Sequence, residues 1–172
     1  WLYDIPSETD QQLDIRLTSD LDQLREKWEE NPAQYLTNVA PDPGGEHIVL
    51  TARGRVFVAP VKSGRFIDFT EKSGVRYRDA VFSHDGEHLY ALSDESGEFE
   101  FVSMPANGIG QEKPITRDGE VLRFEGVPSP DGKGLAYKDL LERLYILDLK
   151  TGKSTQIRLL AELLAGKEEV IF

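Results

Sequence analysis

The 172 residues include 31 acidic and 20 basic side chains, which gives a formal net charge of −11 at pH 7. A chain this acidic lacks the basic face that a nucleic-acid backbone or an anionic membrane surface needs, so we expect neither as a partner. It has no cysteine, which excludes disulfides and thiolate metal sites. No apolar stretch approaches the roughly 20 residues that cross a bilayer.

The amino-terminal part predicts two strands and then a helix. The strands are Leu2–Ile5 and Leu13–Leu17, and a polar turn joins them. We interpret residues 1–17 as the last strands of a preceding propeller or blade. The helix covers 19–31, within a connection over 18–34, and Pro32 ends it. Its apolar residues recur at helical spacing on one face, which are Leu21, Leu24 and Trp28.

Three similar turns organise the rest of the chain. They lie at 42–46, 83–87 and 129–133, and each is followed by a short apolar run. A glycine at such a turn takes positive φ at little steric cost, so the pattern predicts a β-hairpin each time. Glycines spaced by 44 residues indicate the period of the repeat, and these are Gly64, Gly108 and Gly152. The same spacing would place Phe57, Phe101 and Tyr145 at equivalent positions.

Each repeat predicts four short strands. In chain order the predicted strands are Tyr35–Val39, His47–Ala52, Val56–Val61 and Phe66–Phe69; Tyr77–Ser83, His88–Ser93, Phe99–Ser103 and Pro114–Thr116; Val121–Val127, Gly134–Lys138, Leu144–Leu149 and Thr155–Leu159. Four strands in about 44 residues are typical of a propeller blade. We therefore expect an all-β fold with three antiparallel β-propeller blades over 35–158, divided at about 35–70, 71–116 and 117–158.

The carboxyl-terminal tail, residues 159–172, departs from the repeat. It is rich in helix-forming residues up to Gly166, which predicts a short helix. Its last residues, 169–172, are compatible with one more strand.

The residues with catalytic or ligating chemistry do not form an active site in the sequence. Ser83, His84 and Asp85 are adjacent on one turn, where they cannot pass a proton through an imidazole held on both sides. His47 and His88 each start a hairpin strand, and neither has a third metal ligand at suitable spacing. We predict no catalytic residue, no metal site and no cofactor, since phosphate-binding motifs are also absent.

Two arginines are the candidate binding residues. Arg76 and Arg78 flank Tyr77 at the start of the first strand of a predicted blade. The first strand of a blade lies nearest the central channel, so their guanidinium groups are placed to meet a peptide carboxylate. The competing interpretation is that both arginines pair with the many local acids. Glu98 and Glu100 alternate along a strand, which predicts that they share one solvated face.

Several stretches resemble the propeller region of tricorn proteases, a family with TolB-like blades. They are 50–61, 73–80 and 92–98, and the segment 21–28 with Asn31-Pro32 is similar to the connection into that family's second, seven-bladed propeller. Together the resemblance covers roughly residues 1–158. It implies part of a large cytoplasmic serine protease that forms homo-oligomers and passes peptides to a separate catalytic region. No catalytic residue of the family matches a position in this chain.

The resemblance favours a non-catalytic propeller segment that helps to form a peptide channel and supports assembly. Its partners would be peptides or the remaining domains of the protease. Two alternatives remain open at this point. One is a stand-alone or self-associating propeller that binds other proteins, because three blades leave apolar faces uncovered. The other is a hydrolase with its own site inside the channel.

Overall fold

The computed structural model describes residues 1–15, 28–69, 72–119 and 121–157. The chain divides into two compact units, 1–31 and 32–172. The first contains an antiparallel pair, β1 (Leu2–Asp4) and β2 (Thr9–Gln11). The second strand was predicted at Leu13–Leu17. This prediction is wrong for residues 13–15, which are described and do not form a strand. The polar run after Ile5 itself forms the turn and the return strand.

The second unit starts with a 3₁₀ helix, Pro32–Tyr35, and continues with twelve strands in the part of the chain that the structure describes. The first sheet contains β3 (Leu36–Pro41), β4 (His47–Ala52), β5 (Arg55–Pro60) and β6 (Ile67–Asp68). The middle sheet contains β7 (Tyr77–Phe82), β8 (His88–Ser93), β9 (Glu100–Pro105) and β10 (Lys113–Pro114). The third sheet contains β11 (Arg123–Pro128), β12 (Gly134–Asp139), β13 (Leu144–Asp148) and β14 (Ser154–Ile157).

Within each sheet the strands lie in sequence order and every neighbouring pair is antiparallel. The first strands of the three sheets are neighbours, because β7 contacts both β3 and β11. This confirms the predicted all-β fold of four-stranded antiparallel sheets. The predicted helix at 19–31 lies largely outside the described residues, and the tail 159–172 with its predicted short helix lies wholly outside them. Residues 28–31, which are described, are not helical.

The three turns adopt one geometry, as the repeat predicted. In the second and third turns a serine hydroxyl donates to an aspartate two residues later, from Ser83 to Asp85 and from Ser129 to Asp131. The same two hydroxyls accept the N–H of the next strand's first residue at 2.9 Å. The turn glycines have φ near +70°, where a side chain would be strained. Local chemistry therefore fixes the start of β8 and of β12.

The core lies between the sheets. One buried apolar cluster joins the first and middle sheets and includes Val49, Val56 and Ala80, and a second joins the middle and third sheets around Phe101 and Leu135. Neither sheet face of the middle repeat is left to solvent. Burial between neighbouring repeats is therefore what stabilises sheets this small.

A buried ion pair also links the middle and third sheets. Arg123 of β11 is 1% exposed, and its Nη1 lies 2.9 Å from Glu100 Oε2. Its Nη2 donates to both oxygens of Asp118 at 2.5 and 2.6 Å. The prediction that Glu100 shares a solvated face with Glu98 is wrong, since Glu98 is exposed and Glu100 is buried. Alternation alone could not reveal the arginine that follows 23 residues later.

The constant spacing of 44 residues misaligns one strand. In the ladders Thr51 faces Val56, Leu92 faces Phe101 and Lys138 faces Leu144. Val56, Phe101 and Leu144 are therefore equivalent, and the predicted equivalence of Phe57, Phe101 and Tyr145 is wrong for Phe101. The cause is hairpin length, because two residues separate β4 from β5 whereas six separate β8 from β9.

Candidate peptide-binding surface on the first strands

Arg76 directly precedes β7, the first strand of the middle sheet, and Arg78 is the second residue of that strand. Because β7 lies between β3 and β11, both arginines lie where the three first strands come together. Tyr77 between them is buried and points into the sheet interface. The strand thus separates one buried side chain from two accessible guanidinium groups.

Arg76 is held by Asp94 of the loop after β8. The backbone N–H of Arg76 donates to Asp94 Oδ1 at 2.7 Å, and its Nε donates to Oδ2 at 2.8 Å. Burial raises the pKa of Asp94, but these hydrogen bonds outweigh burial and hold that pKa below its usual range. The Arg76 side chain is still 73% exposed. The competing interpretation, in which the arginine pairs with a local acid, therefore holds for Arg76. Most of the Arg76 side chain nevertheless remains accessible to solvent.

Arg78 has a different environment, because it lies between two aromatic rings. Its guanidinium carbon is 5.2 Å from the centroid of Phe99 and 5.4 Å from that of Phe124. Phe99 precedes β9 in the middle sheet, whereas Phe124 belongs to β11 of the third sheet. The carboxylate of Asp79 is at the 4.0 Å limit of an ion pair. Cation–π contacts therefore orient the guanidinium while its charge stays weakly compensated.

Sequence reasoning missed the third arginine near this surface. The turn Arg53-Gly54 packs beside Arg76, since a Cβ on Gly54 would lie 3.1 Å from Arg76 Cβ. Gly54 also accepts a hydrogen bond from the N–H of Tyr77 at 2.9 Å. Arg53 itself lies over the ring of Tyr35 at 4.7 Å. The sequence did contain a signal for Arg53. The turn Arg53-Gly54 joins the second and third strands of the first blade, so it lies at the end of the sheets where the first strand of the next blade begins.

A cleft of about 310 Å³ lies on the other side of Tyr77, between the first and middle sheets. The Tyr77 hydroxyl donates to Glu112 Oε2 at 2.6 Å, and Lys72 Nζ donates to Glu112 Oε1 at 2.9 Å. Burial, together with the contact to Glu112, raises the pKa of Tyr77, so this phenol stays protonated. Lys72 and Glu112 compensate each other's charge, and this network ties the segment before β7 to the loop before β10.

The remaining chemical candidates lie at the opposite end of the strands. Ser83 donates directly to Asp85 at 2.5 Å, with no imidazole between them. His47 Nδ1 lies 3.1 Å from Asp42 Oδ2. Asp85, Glu87 and His88 bring one ligand atom each to within 4.8 Å of one another, but all three are exposed and Asp85 already accepts two hydrogen bonds. Nothing in this arrangement selects a metal ion.

Comparison with known proteins finds a distant relative. No protein-family model matches the chain. The tricorn protease homolog of Saccharolobus solfataricus is 28% identical over 150 residues, which is 87% of this chain and 13% of that protein. The chain therefore spans about one eighth of the relative it matches.

Solved structures show the fold. TolB of Acinetobacter baumannii superposes with a TM-score of 0.59 at 22% identity, over 71% of this chain and 32% of that one. A structure titled TolB from Agrobacterium tumefaciens gives 0.60 at 17% identity, over 68% and 47%. A chain of a nidogen/laminin complex gives 0.59 at 17% identity, over 70% and 47%. The chain is thus a TolB-like β-propeller segment, and its four-stranded sheets are propeller blades. Among the described residues, no helix is both long and apolar enough to cross a membrane.

Proposed function

We propose that this chain is a non-catalytic propeller segment of a tricorn-like serine protease, where it helps to form a peptide channel and supports assembly. On this proposal the parent protein is cytoplasmic and homo-oligomeric, and residues 1–17, 18–34 and 35–158 are the end of one propeller, a connection and three blades of the next. The distant similarity to a tricorn protease homolog supports the family.

The environment of Arg78 is the observation that carries the binding role. A guanidinium held between Phe99 and Phe124 on the first strands offers charge and aromatic surface to an extended chain. A terminal carboxylate can accept two parallel N–H donors from such a group. Arg76 adds a second accessible guanidinium two residues away. The ligand that fits best is a short peptide with a free carboxyl terminus.

Fluorescence anisotropy with labelled peptides tests this role. We expect a peptide with a free carboxyl terminus to bind and its amidated form to bind at least tenfold more weakly. Arg78→Gln should lose most of the affinity and Arg76→Gln should lose less, because Asp94 already holds Arg76. Arg65→Gln is the matched control, since Arg65 is exposed in the loop between β5 and β6. Equal affinity for both peptide forms, or an equal loss with the control, would overturn the role of the carboxylate site.

A further inference from the structure

The turn between β4 and β5 holds Arg53 in an uncommon backbone conformation. It consists of Arg53 and Gly54, whose φ angles are +51° and +77°, and it connects the ladder partners Ala52 and Arg55. Two consecutive residues with positive φ are the mark of a type I′ hairpin turn, where Asn, Asp or Gly is strongly preferred at the first position. Arg53 therefore occupies a position that suits a shorter side chain, and residues in such sparsely populated conformations cluster at functional sites.

The charge of Arg53 is not compensated within the part of the chain that the structure describes. The residue is exposed, and its guanidinium carbon lies 4.7 Å from the centroid of the Tyr35 ring. It forms no ion pair with a described carboxylate, whereas Nη2 of nearby Arg55 lies 2.5 Å from Asp68 Oδ2. An aromatic ring orients a guanidinium without neutralising it. Arg53 thus resembles Arg78, which is also held by aromatic rings and weakly compensated.

Backbone contacts fix the turn against the start of the middle blade. The carbonyl oxygen of Gly54 accepts the N–H of Tyr77 at 2.9 Å, and a Cβ on Gly54 would lie 3.1 Å from Arg76 Cβ. The carbonyl oxygen of Arg76 accepts the N–H of Asp94 at 3.1 Å. The turn, the start of β7 and the loop after β8 therefore form one continuous rim, and Arg53 belongs to it.

The spacing along this rim matches two residues of an extended peptide. Arg78 follows Arg76 by two residues, which is about 6.6 Å along a strand. Arg53 lies in the turn that packs against Arg76. Alternate side chains of an extended chain point to the same side. A peptide with its terminal carboxylate on Arg78 that extends towards the turn brings its third-last side chain to Arg53, while its second-last side chain points away.

The overall charge of the protein makes such a place selective. Because the net charge is −11, an acidic ligand is repelled by most of the surface. Two weakly compensated guanidinium groups on one rim are an exception to this charge. Each guanidinium can donate two parallel N–H groups to a carboxylate, which a lysine ammonium cannot do. The pair therefore favours a ligand with two carboxylates over a ligand with one.

We propose that Arg53 is a specificity-determining residue, which recognises an acidic side chain at the third-last position of a peptide whose terminal carboxylate lies on Arg78. Arg53 donates to that side chain while its guanidinium stays on the ring of Tyr35. This role of Arg53 rests on the proposed peptide-binding function and adds to it the class of peptide that the surface prefers.

Fluorescence anisotropy with labelled six-residue peptides tests the preference. One pair of peptides differs only by glutamate or glutamine at the third-last position, and a second pair differs in the same way at the second-last position. We expect glutamate to improve binding about fivefold at the third-last position, as for an exposed charge-assisted contact, and not at the second-last position. Equal binding of the first pair, or the same gain in both pairs, would overturn the role of Arg53.

The variant Arg53→Asn shows whether this residue is the cause. Asparagine suits a type I′ turn, so we expect the variant to keep its fold, which its thermal unfolding verifies. The preference for glutamate should disappear, while the affinity for the glutamine peptide stays the same. Arg55→Asn is the matched control, because it removes the same charge two residues away and should keep the preference. A preference that survives Arg53→Asn, or is lost equally in the control, would overturn the assignment.

Amidated forms of the third-last pair separate this role from the proposed function. If amidation leaves binding unchanged, the terminal carboxylate does not lie on Arg78, and both the proposed function and the position assigned to Arg53 are overturned. If amidation weakens binding at least tenfold but glutamate and glutamine bind equally, the role of Arg53 alone is overturned. We expect amidation to weaken binding of both peptides and glutamate to keep its advantage in each form.

Discussion

Glu100 and Arg123 join two blades through a buried ion pair, with Arg123 Nη1 at 2.9 Å from Glu100 Oε2. The N–H of Gly119 donates to the other oxygen of Glu100 at 2.6 Å. The carboxylate is therefore satisfied from the same segment that leads into β11, and the pair fixes where the third blade begins.

Removing one partner of this pair should be costly. Glu100→Ala removes one of the two carboxylates that pair with the buried Arg123 guanidinium and leaves Asp118 as the other. A buried polar group that loses a hydrogen-bond partner typically destabilises a protein by about 1–3 kcal/mol. The double variant Glu100→Leu/Arg123→Met should lose clearly less than the sum of its single substitutions, because neither charge remains. Urea unfolding curves measure both. Additive losses would show that the two side chains act independently.

Asp139 should give the chain a specific acid sensitivity. Burial raises its pKa, but hydrogen bonds from the Arg143 side chain and from the N–H groups of Arg143 and Leu141 outweigh burial and hold that pKa below its usual range. A carboxyl whose pKa is lowered on folding stabilises the fold above its unfolded-state pKa, and this contribution disappears as the pH falls through the folded-state pKa.

The comparison of Asp139→Asn with the parent chain measures this contribution. We expect the difference in unfolding free energy to be largest near pH 7 and to shrink below about pH 4. Urea titrations at several pH values give this difference. A difference that stays constant from pH 7 to pH 3 would contradict the assignment to the ionised carboxylate.

Gly126 should tolerate no side chain. A Cβ there would lie 3.0 Å from Phe101 Cε1 and 3.1 Å from Leu135 Cδ2, both inside the packed interface. Gly126→Ala should therefore destabilise the chain by about 1–3 kcal/mol. Gly44→Ala is the matched control, because its nearest neighbours lie at 3.9 Å. If Phe101→Leu fails to recover part of the loss, the proposed contact is not its cause.

Removal of the serine hydroxyl should cost different amounts of stability in the second and third turns, although Ser83 and Ser129 make the same hydrogen bonds. Ser83 is buried, whereas Ser129 is only half-buried. Ser83→Ala removes a hydroxyl of a buried residue that bonds both Asp85 and the N–H of His88. We therefore expect a loss of about 1 kcal/mol and a smaller one for Ser129→Ala. Thermal unfolding of the two variants compares them directly. A larger loss for Ser129→Ala would mean that burial does not set the cost.

The sequence predicts those parts of the fold that depend on local chemistry. The strands His47–Ala52 and His88–Ser93 have the predicted bounds, because a turn glycine and an alternating apolar run define each. The equivalence of Phe101 was misjudged because hairpin lengths differ between blades. The bounds of a strand are therefore predictable when one continuous segment determines them. The alignment of strands between blades is not, because it depends on the lengths of several hairpins.

The candidate surface could be predicted only in part for the same reason. The position of Arg76 and Arg78 on a first strand follows from the repeat. Phe124 lies in another blade, so its contact with Arg78 depends on how blades pack and has no local signal. Glu100 was assigned to solvent because its partner, Arg123, also lies in the next blade.

The outermost strands of the first two blades, β6 and β10, are only two residues long. One of the two residues of β10 is Pro114, which has no N–H to donate. Such short rims offer another chain almost no backbone hydrogen bonds, so they resist the edge-to-edge pairing that leads to aggregation. Association of this protein is thereby directed to the faces of its blades and away from their rims.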